Sequence, residues 1–457
     1  MAGTSKELPN FTSRIAFILV TAGAAVGLGN VWGFPYVAGK NGGGGFMLIY
    51  LLALTFVATP VLMAELLLGR MGRASPPTAM RKLQLEARRP EPWSVIMWAG
   101  LVGSILILSF YSVIAGQALF YGFEAMVESF HGWTSEEIIA FDAGYKSDIV
   151  LMAFWSAVFV GLTALIVSAD VTKGIELAGK WLTPVLFVLL VIIVVYSSIY
   201  GDMPAALNFL FGFDHLVLTP GVFLEAVGQA FFTISVGVGG IMMYGAYMGN
   251  NVNLPKAVTW IVLMDLGVAI LAGLAIFPLV FGEGVDAAAG PGLIFITLPI
   301  VFAKITGGGI ISVLFFVLLA FAAITSSISL LSPTVARLEE AGWKRAHAAW
   351  VMSIIAFFLS FLTVLSFNEW SEFYPLAFLG FDGLTAFSLI REGVSNILLP
   401  LVGVACAIIV GWRIKKERIM AALPMQETKL FQVWYFCLRF IVPMAITALF
   451  INAVFGG

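Results

Sequence analysis

Apolar stretches long enough to cross a bilayer recur along the whole chain, roughly at 15 to 38, 43 to 69, 94 to 125, 147 to 168, 178 to 200, 221 to 248, 255 to 282, 303 to 334, 347 to 367, 384 to 413 and 430 to 454. Crossing about 30 Å of hydrocarbon takes about 20 apolar residues as a helix, so the pattern reads as about eleven spans. Within hydrocarbon a helix satisfies every backbone N–H and C=O internally. With 60% of residues hydrophobic and only 11% charged, and a mean hydropathy of +1.01, the expectation is an all-α membrane protein. No separate soluble domain is visible, so 1–457 reads as one transmembrane unit.

Basic residues collect in alternate connections: Arg70, Arg73, Arg81, Lys82, Arg88 and Arg89 after the second span, Lys173 and Lys180 after the fourth, Lys256 after the sixth. The series continues with Arg337, Lys344 and Arg345 after the eighth and Arg413, Lys415, Lys416 and Arg418 after the tenth. The positive-inside rule then puts the N-terminus in the cytoplasm, and an odd number of spans puts the C-terminus outside. The expected location is the cell membrane, inner or plasma. Lys6 and Arg14 lead directly into a long apolar segment, so no removed signal peptide is expected. For the same reason the Asn10-Phe-Thr12 sequon, read as cytoplasmic, is not expected to carry sugar. A net charge of -2 gives no basic surface for nucleic acid. Cys406 and Cys437 lie apart, without CxxC or His neighbours, and read as packing residues.

Two spans are interrupted. Gly23-Ala-Ala-Val-Gly-Leu-Gly-Asn-Val-Trp-Gly-Phe-Pro35 breaks the first, and Gln229-Ala-Phe-Phe-Thr-Ile-Ser-Val-Gly-Val-Gly-Gly240 breaks the sixth. Irregular backbone at membrane depth is tolerated only where it is buried in protein or lines a cavity. The breaks are five spans apart, and five is odd, so two five-helix units would lie in opposite orientations around a midplane site. The reading is a 5+5 inverted repeat with broken helices 1 and 6: residues 10–200 and 220–413 as the repeats, and 430–454 as an extra helix.

Gly27-Leu-Gly-Asn-Val-Trp-Gly-Phe-Pro35, Asn41-Gly-Gly-Gly-Gly-Phe46, Phe231-Phe-Thr-Ile-Ser-Val-Gly237 and Thr325-Ser-Ser327 follow one another along the chain. Together they resemble the neurotransmitter:sodium symporter family, in particular its bacterial amino-acid branch, to which the bacterial leucine transporter belongs. The resemblance runs from about residue 10 to the eleventh span. It implies two sodium sites built from oxygen, as suits a small hard cation. One would use the carbonyl of Ala25, the side chains of Asn30 and Thr233, and Asp265. The other would use the carbonyls of Gly23, Val26 and Ala322 with the hydroxyls of Thr325 and Ser326. Alone, those two hydroxyls would equally read as polar contacts between helices.

Asp265 stands where the family has an asparagine. An ionisable group at that depth is by default functional, with a partner; the other reading is a neutral, hydrogen-bonded structural carboxyl. In chloride-dependent relatives an anion is held by groups corresponding to Tyr50, Gln229 and Thr233 and by a serine, and here the serine position is Ala269. The resemblance with this departure implies that the Asp265 carboxylate supplies the negative charge and that chloride is not required.

Amine-transporting members carry an aspartate where this chain has Gly27, so the substrate is expected to bring its own carboxylate. That group would meet the first sodium ion, the amides around Leu28 and Gly29, the hydroxyl of Tyr111, and the positive end of the following half-helix. The amino group would face carbonyls near Ala25 and Phe232 and the hydroxyl of Ser235. The side-chain pocket implied by the resemblance is Ile107, Tyr111, Phe232, Val238, Ser326 and Leu330. Val238 replaces a bulkier aromatic of the bacterial leucine transporter, leaving room for a larger aliphatic or aromatic amino acid.

The outer gate departs from the family. Its arginine is Gly33 here, and the tenth span carries Arg391 where bacterial relatives have aspartates. Two readings stand: Arg391 rebuilds a gate with Glu392, Glu225 or Asp382, or it reads a second anionic or polar group on the substrate. Arg14 and Glu340 fall at the family's inner gate pair, with Tyr247 in support and Phe11 in place of a tryptophan. Glu65 reads as an acceptor between helices. The function expected is sodium-coupled uptake of amino acids by alternating access, against a non-transporting substrate sensor as the rival. A homodimer is compatible with this reading. The three histidines, His131, His215 and His347, fall in loops or at helix edges, so no Ser/His pair or metal spacing points to an enzyme.

Overall fold

The computed structural model describes residues 8 to 455 apart from 87–92, 129, 214–218, 250, 285–289, 380–382 and 424–427. Asp382, His215, Arg88, Arg89 and Lys6 lie outside the described residues. Those that are described form helices and connections without strands. Among the described residues nine helices are long and apolar enough to cross a membrane: Gly44–Gly72, Trp93–Val127, Ile149–Ser168, Val171–Tyr200, Leu254–Gly282, Gly308–Glu340, Arg345–Ser366, Ala386–Arg413 and Lys429–Asn452. The pair Arg14–Ala25 and Gly29–Lys40, bent by 49°, makes a tenth. Pro220–Thr233 and Gly240–Ala246 are halves too short to cross alone, joined through 234–239 at the place of the expected sixth span. They complete the order of spans read from the sequence.

Local chemistry explains both interruptions. Ser13 caps the first half-helix by accepting from the Ala16 N–H at 3.1 Å, one of the orphan donors that a helix start leaves. The helix stops after Ala25, where Val26 turns to extended backbone (φ -73°, ψ 104°). In the sixth span Ser235 (φ 53°), Gly237 (φ 91°) and Gly239 (φ 79°) are left-handed, a region that L side chains seldom adopt. A serine held there stores strain of the kind found at functional sites. The Gly237 N–H freed by the break donates to Glu65 Oε1 at 2.7 Å, so Glu65 serves as acceptor between the second and sixth spans.

The broken helices are buried at the centre, as irregular backbone in a membrane must be. Small residues allow the approach: a Cβ at Gly69 would collide with the Met242 carbonyl, and one at Gly245 with the Leu66 carbonyl. Such backbone-to-backbone contact is how helices associate where apolar surface alone gives no drive. The third span (Trp93–Val127) and the eighth (Gly308–Glu340) pack along each other as the far wall.

Candidate functional site

A cavity opens where the two breaks meet. It is lined by Ala25, Gly27, Leu28 and Gly29 of the first span, Ile107 and Tyr111 of the third, and Phe232, Ser235 and Val238 of the sixth. Ser326 and Leu330 of the eighth span and Leu399 of the tenth complete it. Every residue expected to touch substrate therefore lies in one lining. Leu399 had no sequence signal, because it sits in an evenly apolar run; it is placed by the sixth break, whose Gly237 packs against the Leu399 backbone. The free space is about 30 Å³, room for two or three waters at ~10–15 Å³ each. Admitting an amino acid requires the walls to move apart.

At one end of the cavity the Leu28 N–H faces the Tyr111 hydroxyl at 3.4 Å. Directly below, a Cβ on Gly27 would meet the Tyr111 hydroxyl at 3.3 Å and collide with Ser326 Oγ. No side chain fits at position 27 without displacing both hydroxyls. Close by, the hydroxyls of Ser235 and Ser326 donate to the same carbonyl, Ala24 O, at 3.0 and 3.2 Å. The cavity thus brings together an N–H and a hydroxyl suited to a carboxylate, carbonyl and hydroxyl oxygens suited to an ammonium, and apolar side chains.

Asn30 and Asp265 are both fully buried. The Asn30 amide nitrogen donates to Asp265 Oδ1 at 2.8 Å and to its carbonyl at 3.1 Å, while Asn30 Oδ1 accepts from the Gly27 N–H at 3.2 Å. Asp265 Oδ2 has no hydrogen-bond partner among the described residues. A buried carboxylate oxygen in that condition is costly, and a cation beside it would remove the cost. Thr233 packs behind Gly29, its hydroxyl 3.2 Å from that of Tyr50. Of the expected donors, Asn30 and Asp265 are joined directly, and Thr233 is tied to Tyr50 and Gly29.

The second expected set also converges. Thr325 Oγ1 donates to Ala322 O at 3.0 Å and lies 3.5 Å from Val26 O, as does Ser326 Oγ. Gly23 packs on the Thr325 side chain: a Cβ added at Gly23 would lie 3.5 Å from the Thr325 Cβ. Thr183 of the fifth span closes the same spot from behind and donates to Leu19 O at 3.1 Å. Nothing in the sequence had drawn attention to it. Among the described residues no group of three His, Cys, Asp or Glu could hold a metal; both oxygen clusters draw instead on carbonyls, an amide and hydroxyls.

Of the groups that the family resemblance assigned to an anion, Tyr50 and Thr233 stay in contact at 3.2 Å. Gln229 Nε2 donates to the Gly29 carbonyl at 2.7 Å, and Ala269 is buried without a hydroxyl. A Cβ on Gly33 would lie 3.2 Å from the Gln229 amide nitrogen, so glutamine fills the space where the family's arginine begins.

At the gates the structure differs from the sequence reading. Arg391 pairs with its neighbour Glu392 at 2.5 Å, half exposed, and does not line the cavity. Glu225 is held by Lys40 at 2.6 Å and Asn41 at 2.8 Å. Of the proposed partners among the described residues, Glu392 pairs with Arg391 and Glu225 does not, and a pair on one helix does not bridge the vestibule; Asp382 lies outside them. At the other end no ion pair joins Arg14 to Glu340 among the described residues. Glu340 instead accepts from Ser75 N and Oγ, both at 2.6 Å, and from Thr78 Oγ1 at 2.5 Å. These donors stand at the start of the helix Pro76–Glu86; Pro76 and Pro77 have no N–H to offer, so the Ser75 amide and the two hydroxyls, with the positive end of the helix, receive the carboxylate. Tyr247 lies edge-on to Phe11 at 6.0 Å, and its carbonyl accepts from the Phe11 N–H at 2.9 Å. Charged groups that the sequence reading had not linked hold the N-terminal segment: Glu176 accepts from the Thr12 N–H at 2.8 Å and pairs with Lys180 at 2.5 Å. Arg73 donates to Leu8 O and Asn10 Oδ1 at 3.1 and 2.9 Å.

Comparison with known proteins agrees with this architecture. The model of the Sodium:neurotransmitter symporter family matches residues 8–143 and 146–456. The sodium-dependent transporter YhdH of Bacillus subtilis is 34% identical over 98% of this chain and 99% of its own. A sodium-dependent transporter of Haemophilus influenzae is 28% identical over the full length of both chains. The crystal structure of MhsT in complex with L-phenylalanine superposes with a TM-score of 0.89 at 37% identity, covering 97% of this chain and 99% of that one. With its matched length, its multi-pass helices and its two broken spans, the chain belongs to the sodium:neurotransmitter symporter family, whose members are sodium-dependent transporters and not enzymes.

Proposed function

We propose that this transporter carries a neutral, hydrophobic or aromatic L-amino acid into the cell together with sodium, without a need for chloride. The observation that carries the reading is the cavity itself. The Leu28 amide and Tyr111 hydroxyl form its carboxylate end with no acidic side chain at Gly27, its walls are Ile107, Phe232, Val238, Leu330 and Leu399, and the Asn30–Asp265 pair lies alongside. A bare amine would leave the N–H and hydroxyl end unpaired, which a buried site penalises. The likeness to MhsT with phenylalanine bound supports an amino-acid substrate.

Sodium enters as co-substrate. One ion would sit among Ala25 O, Asn30, Thr233 and Asp265 and would also meet the substrate carboxylate, which couples the two. A second would sit among Gly23, Val26, Ala322, Thr325 and Ser326, tying the first span to the eighth. Each charge moving inward gains about 2.3 kcal/mol per 100 mV of membrane potential, enough to concentrate a neutral solute. Spans one to five and six to ten act as the two repeats, rocking about the central site, with the N-terminus cytoplasmic. The Asp265 carboxylate stands in for the anion, since Gln229 is committed to Gly29 and Ala269 has no hydroxyl. Arg391, bound to Glu392 away from the cavity, reads no substrate group.

The test is a screen of all twenty amino acids by uptake in proteoliposomes and by thermal shift, in sodium and then in choline. Sodium-dependent accumulation of leucine, phenylalanine or tryptophan-like substrates is expected. A flat response overturns the reading, and strong competition by aspartate or glutamate with none by leucine or tryptophan returns Arg391 to the substrate site.

A further inference from the structure

A second cavity, about 340 Å³, lies on the outside of the bundle between the third, eighth and ninth spans. Its size is that of a small-molecule site, and its walls are almost wholly apolar: Trp98, Val102 and Ile105 on one side, Met352 and Leu359 on the other. Trp98 and Val102 remain 45% and 55% exposed, so the groove opens sideways, toward lipid. One cationic group lines it. The Arg337 guanidinium stacks over the Trp98 ring at 5.2 Å, and no ion pair reaches it among the described residues. The neighbouring carboxylates are already engaged, Glu339 by Arg345 at 2.7 Å and Glu340 by Ser75 and Thr78.

The groove's placement fixes its depth. Arg337 is in the last turn of its helix, next to the basic connection containing Lys344 and Arg345. Trp98 and Trp343, 45% and 46% exposed, mark the level at which amphipathic rings sit between headgroups and hydrocarbon. From Trp98 to Ile105 the helix rises about 10 Å, some two thirds of a leaflet about 15 Å deep. One end therefore offers a positive charge at headgroup depth, and the rest offers an apolar channel along the acyl chains.

We propose that this groove is a binding site for one anionic phospholipid, its phosphate on Arg337 and one acyl chain along Trp98, Val102, Ile105, Met352 and Leu359. The occupant follows from charge complementarity: a guanidinium with free donors favours phosphate oxygens, and the apolar channel needs a chain attached to that phosphate. A zwitterionic lipid would fill the channel but set a second positive charge beside the guanidinium. The site is separate from the substrate cavity, although Ile105 is two residues from the cavity residue Ile107 on the same helix.

The experiment uses the purified full chain in mild detergent, stripped of lipid and titrated with 1-palmitoyl-2-oleoyl phosphatidylglycerol or the matching phosphatidylcholine, with bound lipid counted by native mass spectrometry. One tightly held lipid is expected, with phosphatidylglycerol preferred about fivefold, equivalent to the ~1 kcal/mol of one basic residue at an anionic surface. Arg337→Gln should abolish the preference and Arg337→Lys should keep most of it. Val102→Trp, which fills the channel from the lipid side, should lower retention of both lipids. A preference that survives Arg337→Gln, or retention unchanged by Val102→Trp, overturns the proposal. Oleate displacing the bound lipid as well as phosphatidylglycerol does would also overturn it, by assigning the groove to a free fatty acid. The wild-type protein gives a readout that needs no variant to fold: its preference should shrink as salt is raised, and a salt-insensitive preference overturns the headgroup contact.

Discussion

Replacing Asp265 by asparagine tests the centre of the sodium site, because it restores the family's residue while removing the charge. The Asn30 side chain keeps a partner of the same size at the 2.8 Å contact, so the helix break and the packing of this fully buried residue should survive. What is lost is a carboxylate whose second oxygen has no partner among the described residues and is free to face the ion. An interaction with a charged group contributes ~1.5–3 kcal/mol net, well short of the bare Coulomb attraction because the ion's own desolvation opposes it. That range corresponds to a roughly 10- to 100-fold weaker apparent sodium affinity. The assay is radiolabelled sodium binding, with thermal shift against sodium concentration as an independent measure of the same affinity. In parallel, wild-type uptake should be unchanged when chloride is replaced by gluconate, whereas Asp265→Asn with Ala269→Ser should regain activity when chloride is added. Sodium affinity within twofold of wild type in Asp265→Asn would refute the charge argument. So would wild-type uptake that collapses in gluconate.

Three further outcomes follow from the same geometry. Tyr111→Phe removes the hydroxyl that faces the Leu28 N–H and should weaken substrate binding about fivefold, the worth of one ordinary hydrogen bond at ~1 kcal/mol, as read by isothermal titration of substrate at saturating sodium; a separate sodium titration without substrate should give an affinity within about twofold of wild type. Gly27→Asp sets a carboxylate against Ser326 and Tyr111 where the substrate carboxylate is expected, so amino-acid binding should fall below detection in a thermal-shift titration; retained binding would mean that the substrate lies elsewhere. Glu65→Ala leaves the buried Gly237 N–H without its 2.7 Å acceptor, a loss of about 1–3 kcal/mol, and melting in detergent should drop by several degrees while Glu65→Gln recovers most of the loss.

The sequence by itself determined the parts that depend on local chemistry and on the bilayer. Runs of about 20 apolar residues read as spanning helices, and two runs interrupted by glycine read as buried breaks, so the spans and the breaks were legible before any coordinates, while the cavity lining around Gly27 and Ser235 came from the family resemblance. Partners across the bundle were not. The reading had Arg14 with Glu340, yet Glu340 caps the helix at Ser75 and Thr78, because a helix start supplies several oriented donors at once. Gly33 read as a lost arginine, and only tertiary packing showed Gln229 filling that space and taking the Gly29 carbonyl. Leu399 and Thr183 sit in apolar runs where one residue looks like the next, and the close approach of another helix is what singles them out. Hydrophobic periodicity records which residues leave water, whereas the partner of a buried charge is chosen by which donors reach it first in three dimensions.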